Sequence, residues 1–329
     1  MWENMQLIFP SAIGYTIPLL IVALGALYCE RSGIVNVGLE GLMIVGGFAG
    51  AFTIFKIQEK LPSADYGNLA IWIGLVVAMI VGVLFSLLHA FASINLKANQ
   101  IISGTAINMI AGALTVFLAR NITGSGNIRI IKGFAKNDVP ILSKIPVIGD
   151  LFFTNVYAST WLVLGILLIS VFILYKTRFG LRLRACGENP QAADSAGINV
   201  YKMRYFGVMI SGGFAALGGA IIIVTYSGEF NGSVAGLGFL ALAALIFGQW
   251  KPLGILAATM FFGFATTVAN ISQVIPSLGT IPPVVLKIFP YTITLIALII
   301  FSKSSQAPKA AGEVFDSGKR WFLYKKYNK

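Results

Sequence analysis

Nine apolar runs constrain this chain more than any other feature. They lie near Ser11–Tyr28, Val35–Phe55, Leu69–Ala92, Ile101–Ala119, Ser159–Tyr175, Tyr205–Tyr226, Leu237–Gly248, Leu253–Ala269 and Ile288–Phe301. A helix needs roughly 20 apolar residues to cross about 30 Å of hydrocarbon, and several runs reach that length. In lipid every backbone N–H and C=O must be paired within the structure, which leaves only helices and closed barrels. The runs lack the two-residue alternation of a barrel strand. Of 329 residues 57% are hydrophobic and 11% charged, too few charges to cover a water-soluble domain of that size. The sequence therefore predicts an all-α integral membrane protein, a polytopic helical bundle of about nine spans with some broken helices, forming one domain over residues 1–329. The seventh run is short for a full crossing. It reads as a half-helix or as a span that begins earlier, near Gly232.

The formal net charge of +12 is explained by where the basic residues sit. With the N-terminus outside, sixteen of the 24 fall on the cytoplasmic side, among them Arg31, Lys97, Arg178, Lys202, Lys251 and Lys303. Five others lie in one long outer loop, residues 120–158, and long loops weigh little in orientation. The expected topology is N-terminus out and C-terminus in, with a basic cytoplasmic tail over 302–329. A nucleic-acid partner is not needed to account for the charge. Cys29 and Cys186 both fall at cytoplasmic helix ends, so no disulfide framework is expected. Glu3 precedes the first run without a basic leader region, so the first helix is expected to be retained.

The longest internal cytoplasmic connection, 176–204, reads KTRFGLRLRACGENPQAADSAGINVYKMR. Asn189 suits a helix N-cap, Pro190 the first helical position and Gly197 a left-handed stop. Between them Gln191 to Ala196 make about two turns. Ala192, Ala193 and Ala196 leave little bulk, so the groove of another protein could approach closely. A short capped helix of this kind suits a mechanical coupling element. An amphipathic loop that only bridges two spans is the simpler reading of the composition.

A second unusual stretch is ERSGIVNVGLEG, Glu30 to Gly41. It places Asn36 and Glu40 among Gly33, Gly38 and Gly41 at the mouth of an apolar span. Ionisable groups at membrane depth are costly and face a cavity or the bundle interior, and glycines there permit a broken helix or close packing. Alternatively, Glu40 caps a helix N-terminus or reaches back to the interface. Gln100, Ser103, Thr105 and Asn108 enter the fourth run; such residues line an aqueous path or bond across helices. Asn36, Glu40, Ser103 and Asn108 are the candidates for a substrate pathway, with Asn108 the preferred pore residue. GLGFLALAALIFGQWKPLG, from Gly236 to Gly254, is a second interrupted apolar stretch, which hints at an internal repeat. The outer stretch Val139 to Phe153 is expected to pack as a surface loop, or to lie along the membrane face or act as a short gate.

The lone histidine, His89, has no metal-ligating neighbour in sequence and is expected to make a hydrogen bond. No phosphate-binding loop, metalloprotease motif or nucleophile elbow occurs, so the sequence offers no catalytic residue, no metal site and no bound cofactor.

Four segments together resemble a known family: SGIVNVGLEG from Ser32, RACGENPQAADSAGI from Arg184, GLGFLALAALIFGQWKPLG from Gly236 and GEVFDSGKR from Gly312. The chain is similar, from about Phe9 to Trp321, to the permease subunits of bacterial ABC importers in the branched-chain amino acid and ribose permease superfamily. Within it, the chain looks most like nucleoside permeases that work with a lipoprotein of the basic membrane protein family. The resemblance implies a multi-pass protein of the bacterial plasma membrane and a nucleoside substrate. It also implies an ABC ATPase carrying ATP and Mg, a second and often non-identical permease, and an extracellular substrate-binding lipoprotein. It makes the helix at Pro190 to Ala196 the coupling helix, with Glu188, Asn189, Pro190, Gln191, Ala192, Ala193, Ala196 and Gly197 as the coupling residues. Related machinery carries simple sugars or branched-chain amino acids. An ion-coupled carrier, the reading from a different class, would need an intramembrane carboxylate, for which Glu40 is the strong candidate. Gly124 to Pro146 has no counterpart in the resemblance.

Overall fold

The structure is a computed structural model that describes residues 2–60, 67–271 and 306–317, with isolated positions 284, 285, 288 and 292. Among these, seven helical stretches are long and apolar enough to cross a membrane. They comprise α1 (Trp2–Arg31), α2 (Leu39–Lys60), α3 (Gly67–Ala90), α4 (Gln100–Thr123), α6 (Ala158–Lys176), α9 (Val200–Ile222) and α11 (Pro252–Ile271). α3 and α9 are each prolonged by one π-helical turn, Phe91–Asn95 and Ile223–Ser227. The short seventh run resolves as a half-helix, α10 (Leu237–Phe247), whose 11 residues span about 16 Å. It cannot cross alone. Apart from Ile288 and Thr292, the ninth run lies outside the described residues.

α1 and α9 form the centre. Their spans are 89% and 83% buried, against 22% for α4 and 33% for α3 and α6, whose apolar outer faces are those of helices facing lipid or a partner. A helix buried on all sides has no polar face to spare, which is why α1 carries Leu19 to Leu27 as a nearly unbroken apolar run.

Small residues set the spacing. Lipid tails are as apolar as leucine, so helices in a bilayer associate by close van der Waals fit rather than by exclusion of water. A Cβ added at Gly219 of α9 would sit 1.9 Å from the Met43 carbonyl oxygen of α2, and one at Gly46 would sit 2.2 Å from that of Ala216. Gly219→Val should therefore force α2 and α9 apart at a cost of about 1–3 kcal/mol or more. A clear fall in the detergent melting temperature is the expected result; an unchanged value would contradict this packing.

The long loop after α4 folds back on the bundle. Its strands β1 (Ile128–Arg129) and β2 (Lys136–Asn137) pair antiparallel with β4 (Glu229–Phe230) and β3 (Val156–Tyr157) respectively. Gln58 at the end of α2 anchors it by accepting from Ile131 N at 2.9 Å and donating to Lys132 O at 2.8 Å. A short helix, α5 (Ile148–Phe152), sets Phe152 edge-on to Phe9 of α1 at 5.6 Å. The opposite end of the bundle holds Arg31, Lys97, Lys202 and Lys251, together with α7 (Arg178–Glu188) and α8 (Pro190–Ser195). It is called the basic end below.

Candidate functional site

Two places gather the residues singled out by sequence. The first is inside the bundle, where the chain between α1 and α2 turns back. Gly33, at φ +95°, makes the turn, with its N–H on Glu30 O at 2.9 Å. Residues 34–36 then run without regular structure and α2 begins only at Leu39. Asn36 is 1% exposed and donates through Nδ2 to Ser211 Oγ at 3.0 Å. Ser211 lies roughly 16 Å along α9 from its start at Val200, so this stretch is well inside the bundle.

Non-helical backbone at that depth needs partners, and side chains supply them. Gln100 Oε1 accepts from Val35 N at 2.7 Å, and Asn36 Oδ1 accepts from Gly38 N at 3.0 Å. Asn108 accepts from Gly41 N at 2.7 Å and donates to Val37 O at 3.0 Å. Ser103 Oγ pairs with His89 Nδ1 at 2.9 Å, and the other ring nitrogen lies 3.2 Å from Val35 O. Thus Asn36, Ser103 and Asn108 surround one short segment. The expected hydrogen bond of His89 is made to it as well.

Glu40, at the first turn of α2, reaches across to a second interruption. Its Oε1 accepts from Gly236 N at 2.9 Å and its Oε2 from Gly238 N at 2.7 Å. These are free N–H groups at the N-terminus of α10, where negative charge is favoured. Of the readings open in the sequence, this geometry is the helix cap, and the helix capped is not Glu40's own. Gly238 permits the approach, since a Cβ there would fall 2.4 Å from Glu40 N. α10 then runs to the basic end, where Trp250 Nε1 donates to Glu30 Oε2 at 2.6 Å and Arg31 Nη2 to Trp250 O at 2.8 Å. The two glycine-marked interruptions of the sequence therefore meet inside the bundle.

The second place is at the basic end. Thr177 caps α7, accepting from Gly180 N at 3.2 Å; sequence reading had not separated this 11-residue helix from the loop. Asn189 ends α7 and caps α8, its Oδ1 accepting from Ala192 N at 3.0 Å. Pro190 occupies the first helical position, Ala196 closes the helix and Gly197 sits at φ +80°, as the spacing predicted. The faces were not predicted. Pro190 and Ala193 point into the chain, Ala193 with 4% exposure, while Ala192, Ser195, Ala196 and Gly197 face outward. Glu188 Oε1 lies 3.5 Å from Arg31 Nη1, tying this segment to α1.

A strap from the C-terminal region, residues 306–317, crosses the same end. Ala310 N donates to Gly187 O at 2.8 Å and Gly312 N to Gly33 O at 3.1 Å. Gln191 Nε2 donates to Asp316 O at 3.2 Å, and Lys97 Nζ pairs with Asp316 Oδ2 at 3.0 Å. Arg204, 1% exposed, donates through Nη1 to Glu313 O at 2.9 Å. A groove of about 360 Å³ separates Glu188 to Gln191 from Lys309 to Val314. Nearby, burial pushes the Cys186 thiol up to about 11, so it stays protonated and inert. Cys29 and Cys186 are both free and buried. Among the described residues no three His, Cys, Asp or Glu side chains converge as a metal site would require.

Residues 9–298 match the family described as the branched-chain amino acid transport system permease component. The guanosine ABC transporter permease protein NupQ of Bacillus subtilis is 46% identical over 97% of this chain and 99% of its own length. The nucleoside ABC transporter permease protein NupC of Lactococcus lactis is 42% identical over 94% of this chain and 96% of its own. A second Lactococcus lactis protein, the nucleoside ABC transporter permease protein NupB, is 24% identical over 89% of this chain and 79% of its own. With seven membrane-length helices, a half-helix and a family match over most of its length, the chain belongs to the permease family of the branched-chain amino acid transport system.

Proposed function

We propose that this chain is a membrane permease subunit of an ATP-driven importer of nucleosides. The observation that carries the reading is identity of 42–46% over nearly the whole chain to permeases named for guanosine and nucleosides. ATP and Mg belong to a partner ATPase, and an extracellular substrate-binding lipoprotein delivers the solute. Two dissimilar permeases bearing nucleoside names in one Lactococcus species favour a second, non-identical permease beside this one. The basic end faces the cytoplasm, as the excess of Lys and Arg requires, so the N-terminus is outside. The connection 176–204 and the tail 302–329 then face the ATPase, and α8 is the coupling helix. Uptake of radiolabelled guanosine into vesicles holding the complete complex should require ATP. ATP-driven uptake of glucose or leucine but not guanosine would overturn the substrate, and proton-driven transport by the purified chain alone would overturn the class.

The coupling role has its own test. Ala193 is buried, so bulk there would disturb this chain's own packing. Ala192→Arg and Ala196→Arg put bulk on the outward face instead. Each should leave the melting temperature of the purified chain unchanged and reduce co-purification of the ATPase at least tenfold, a loss of about 1.4 kcal/mol. Full retention of the ATPase by both would remove α8 from the interface.

A further inference from the structure

At the end of the bundle opposite the basic end, a cavity of about 390 Å³ lies between α1, the end of α9, the chain leading into α10, and α11. Tyr15, Tyr226, Asn231, Ser233, Thr266 and Asn270 supply its polar and aromatic lining. We propose that this cavity is a nucleoside-binding vestibule of the permease. The proposal rests on the importer reading above and names residues for it.

The backbone around the cavity is unusual in a way that needs a reason. α9 ends in a π-helical turn, Ile223–Ser227, a form found as single turns at functional sites. The chain then leaves helical structure until Leu237, with positive φ at Gly228, Gly232, Ala235 and Gly236. Ala235, at φ +55°, is a non-glycine residue held in the left-handed region. This segment descends to Glu40, which caps the helix that follows. Irregular backbone at such depth is tolerated where it is buried in protein or lines a water-filled cavity. Here it lines the cavity, and the half-helix begins at its floor.

The lining also selects a chemistry. Tyr15 and Tyr226 stack with ring centroids 4.1 Å apart, and Asn270 Nδ2 donates to Tyr15 Oη at 3.2 Å. Tyr226 Oη donates to Ser11 O at 2.6 Å, which fixes the ring against α1. Rigid aromatic faces bind planar bases with little regard to their sequence of polar groups. Amides and hydroxyls from Asn231, Ser233, Thr266 and Asn270 suit ribose hydroxyls and base edges. Among the described residues, no charged side chain lines the cavity. An amino acid would bring two unpaired charges, and a nucleotide an unpaired phosphate, at a high desolvation cost. A neutral solute with one aromatic and one polyhydroxyl part fits best. The volume falls within the range of about 300–1,000 Å³ typical of small-molecule sites.

Cysteine accessibility tests this directly, because both native cysteines of this chain are buried, so labelling read on this chain's own band reports the introduced thiol. Ser233→Cys, and separately Asn231→Cys, would be made in the full complex of both permeases and the ATPase, reconstituted in nanodiscs without the binding lipoprotein. A membrane-impermeant maleimide should label each thiol. Inosine at several times its dissociation constant, on the order of 10 mM, should slow labelling at least about five-fold, while ribose and leucine at the same concentration leave it unchanged. Thiols that are never labelled, or labelling that inosine does not slow, would overturn the vestibule even in a complex that imports guanosine. Protection by ribose or leucine equal to that by inosine would overturn its nucleoside selectivity. Absence of guanosine uptake by the complete transporter would sink the functional reading separately.

Discussion

A Glu40→Ala chain is expected to lose about 2–4 kcal/mol of folding stability, with α10 detached from α2. The estimate weighs three terms. Two N–H groups, that of half-buried Gly236 and that of buried Gly238, lose their acceptor, each at about 1–3 kcal/mol. The favourable placement of a carboxylate at a helix N-terminus, worth about 0.3–1 kcal/mol, is lost too. Against these stands relief from burying a carboxylate. Glu40→Gln separates this structural role from one in the solute path. The amide keeps the size and one acceptor, but turns an NH2 toward an N–H that cannot accept from it. If Glu40 is chiefly a cap, both variants melt lower in detergent. If it chiefly meets the solute, Glu40→Gln keeps the native melting temperature and loses only transport.

That distinction could not be drawn from sequence, and the reason is physical. Glu40 and Gly236 lie 196 residues apart, and nothing local to either says that they meet. The sequence showed two glycine-marked interruptions and one carboxylate at membrane depth, which was enough to flag both places and too little to pair them. α8 shows the opposite case. Its cap, its first proline and its left-handed glycine follow local rules, so Asn189, Pro190 and Gly197 were legible to the residue. Which way Ala193 points is a packing fact and was not. The span count met the same limit: hydropathy finds apolar runs, but whether an 11-residue run is half a helix depends on what caps its end inside the bundle. The residues lining the cavity below Tyr226 were invisible for a further reason. Asn231 and Ser233 sit in a polar, glycine-rich stretch that reads as an ordinary loop, and only the fold draws it inward.

The strap at the basic end carries the other large expectation. Phe315 is 3% exposed and packs edge-on against Tyr201 at 5.2 Å, with the Arg204 guanidinium 5.9 Å from its ring centre. Its burial holds residues 310–316 across Gly33, Gly187, Gln191 and Lys97. Removing a buried phenylalanine side chain costs about 3–5 kcal/mol. The strap's polar links named above are single hydrogen bonds of about 0.5–1.5 kcal/mol and an exposed ion pair of about 0–1 kcal/mol. Phe315→Ala should therefore release the strap while the helices stay packed. Arg204 decides how far the damage spreads. Its Nε and Nη2 make no hydrogen bond among the described residues, so loss of Glu313 O together with the Phe315 ring would leave the guanidinium to water. Water entering there would also reach Gly33, where α1 turns toward α2. Trypsin cleavage after the exposed Lys309 reports the release, because a strap held in place is cut only during local opening. Cleavage at least tenfold faster in Phe315→Ala, with the main melting transition moved by only a few degrees, is the expected pair of results. Phe315→Leu, which keeps most of the apolar volume, should restore slow cleavage. Equal cleavage rates in all three chains would mean that the hydrogen bonds to Gly187 and Gly33 hold the strap without its phenylalanine.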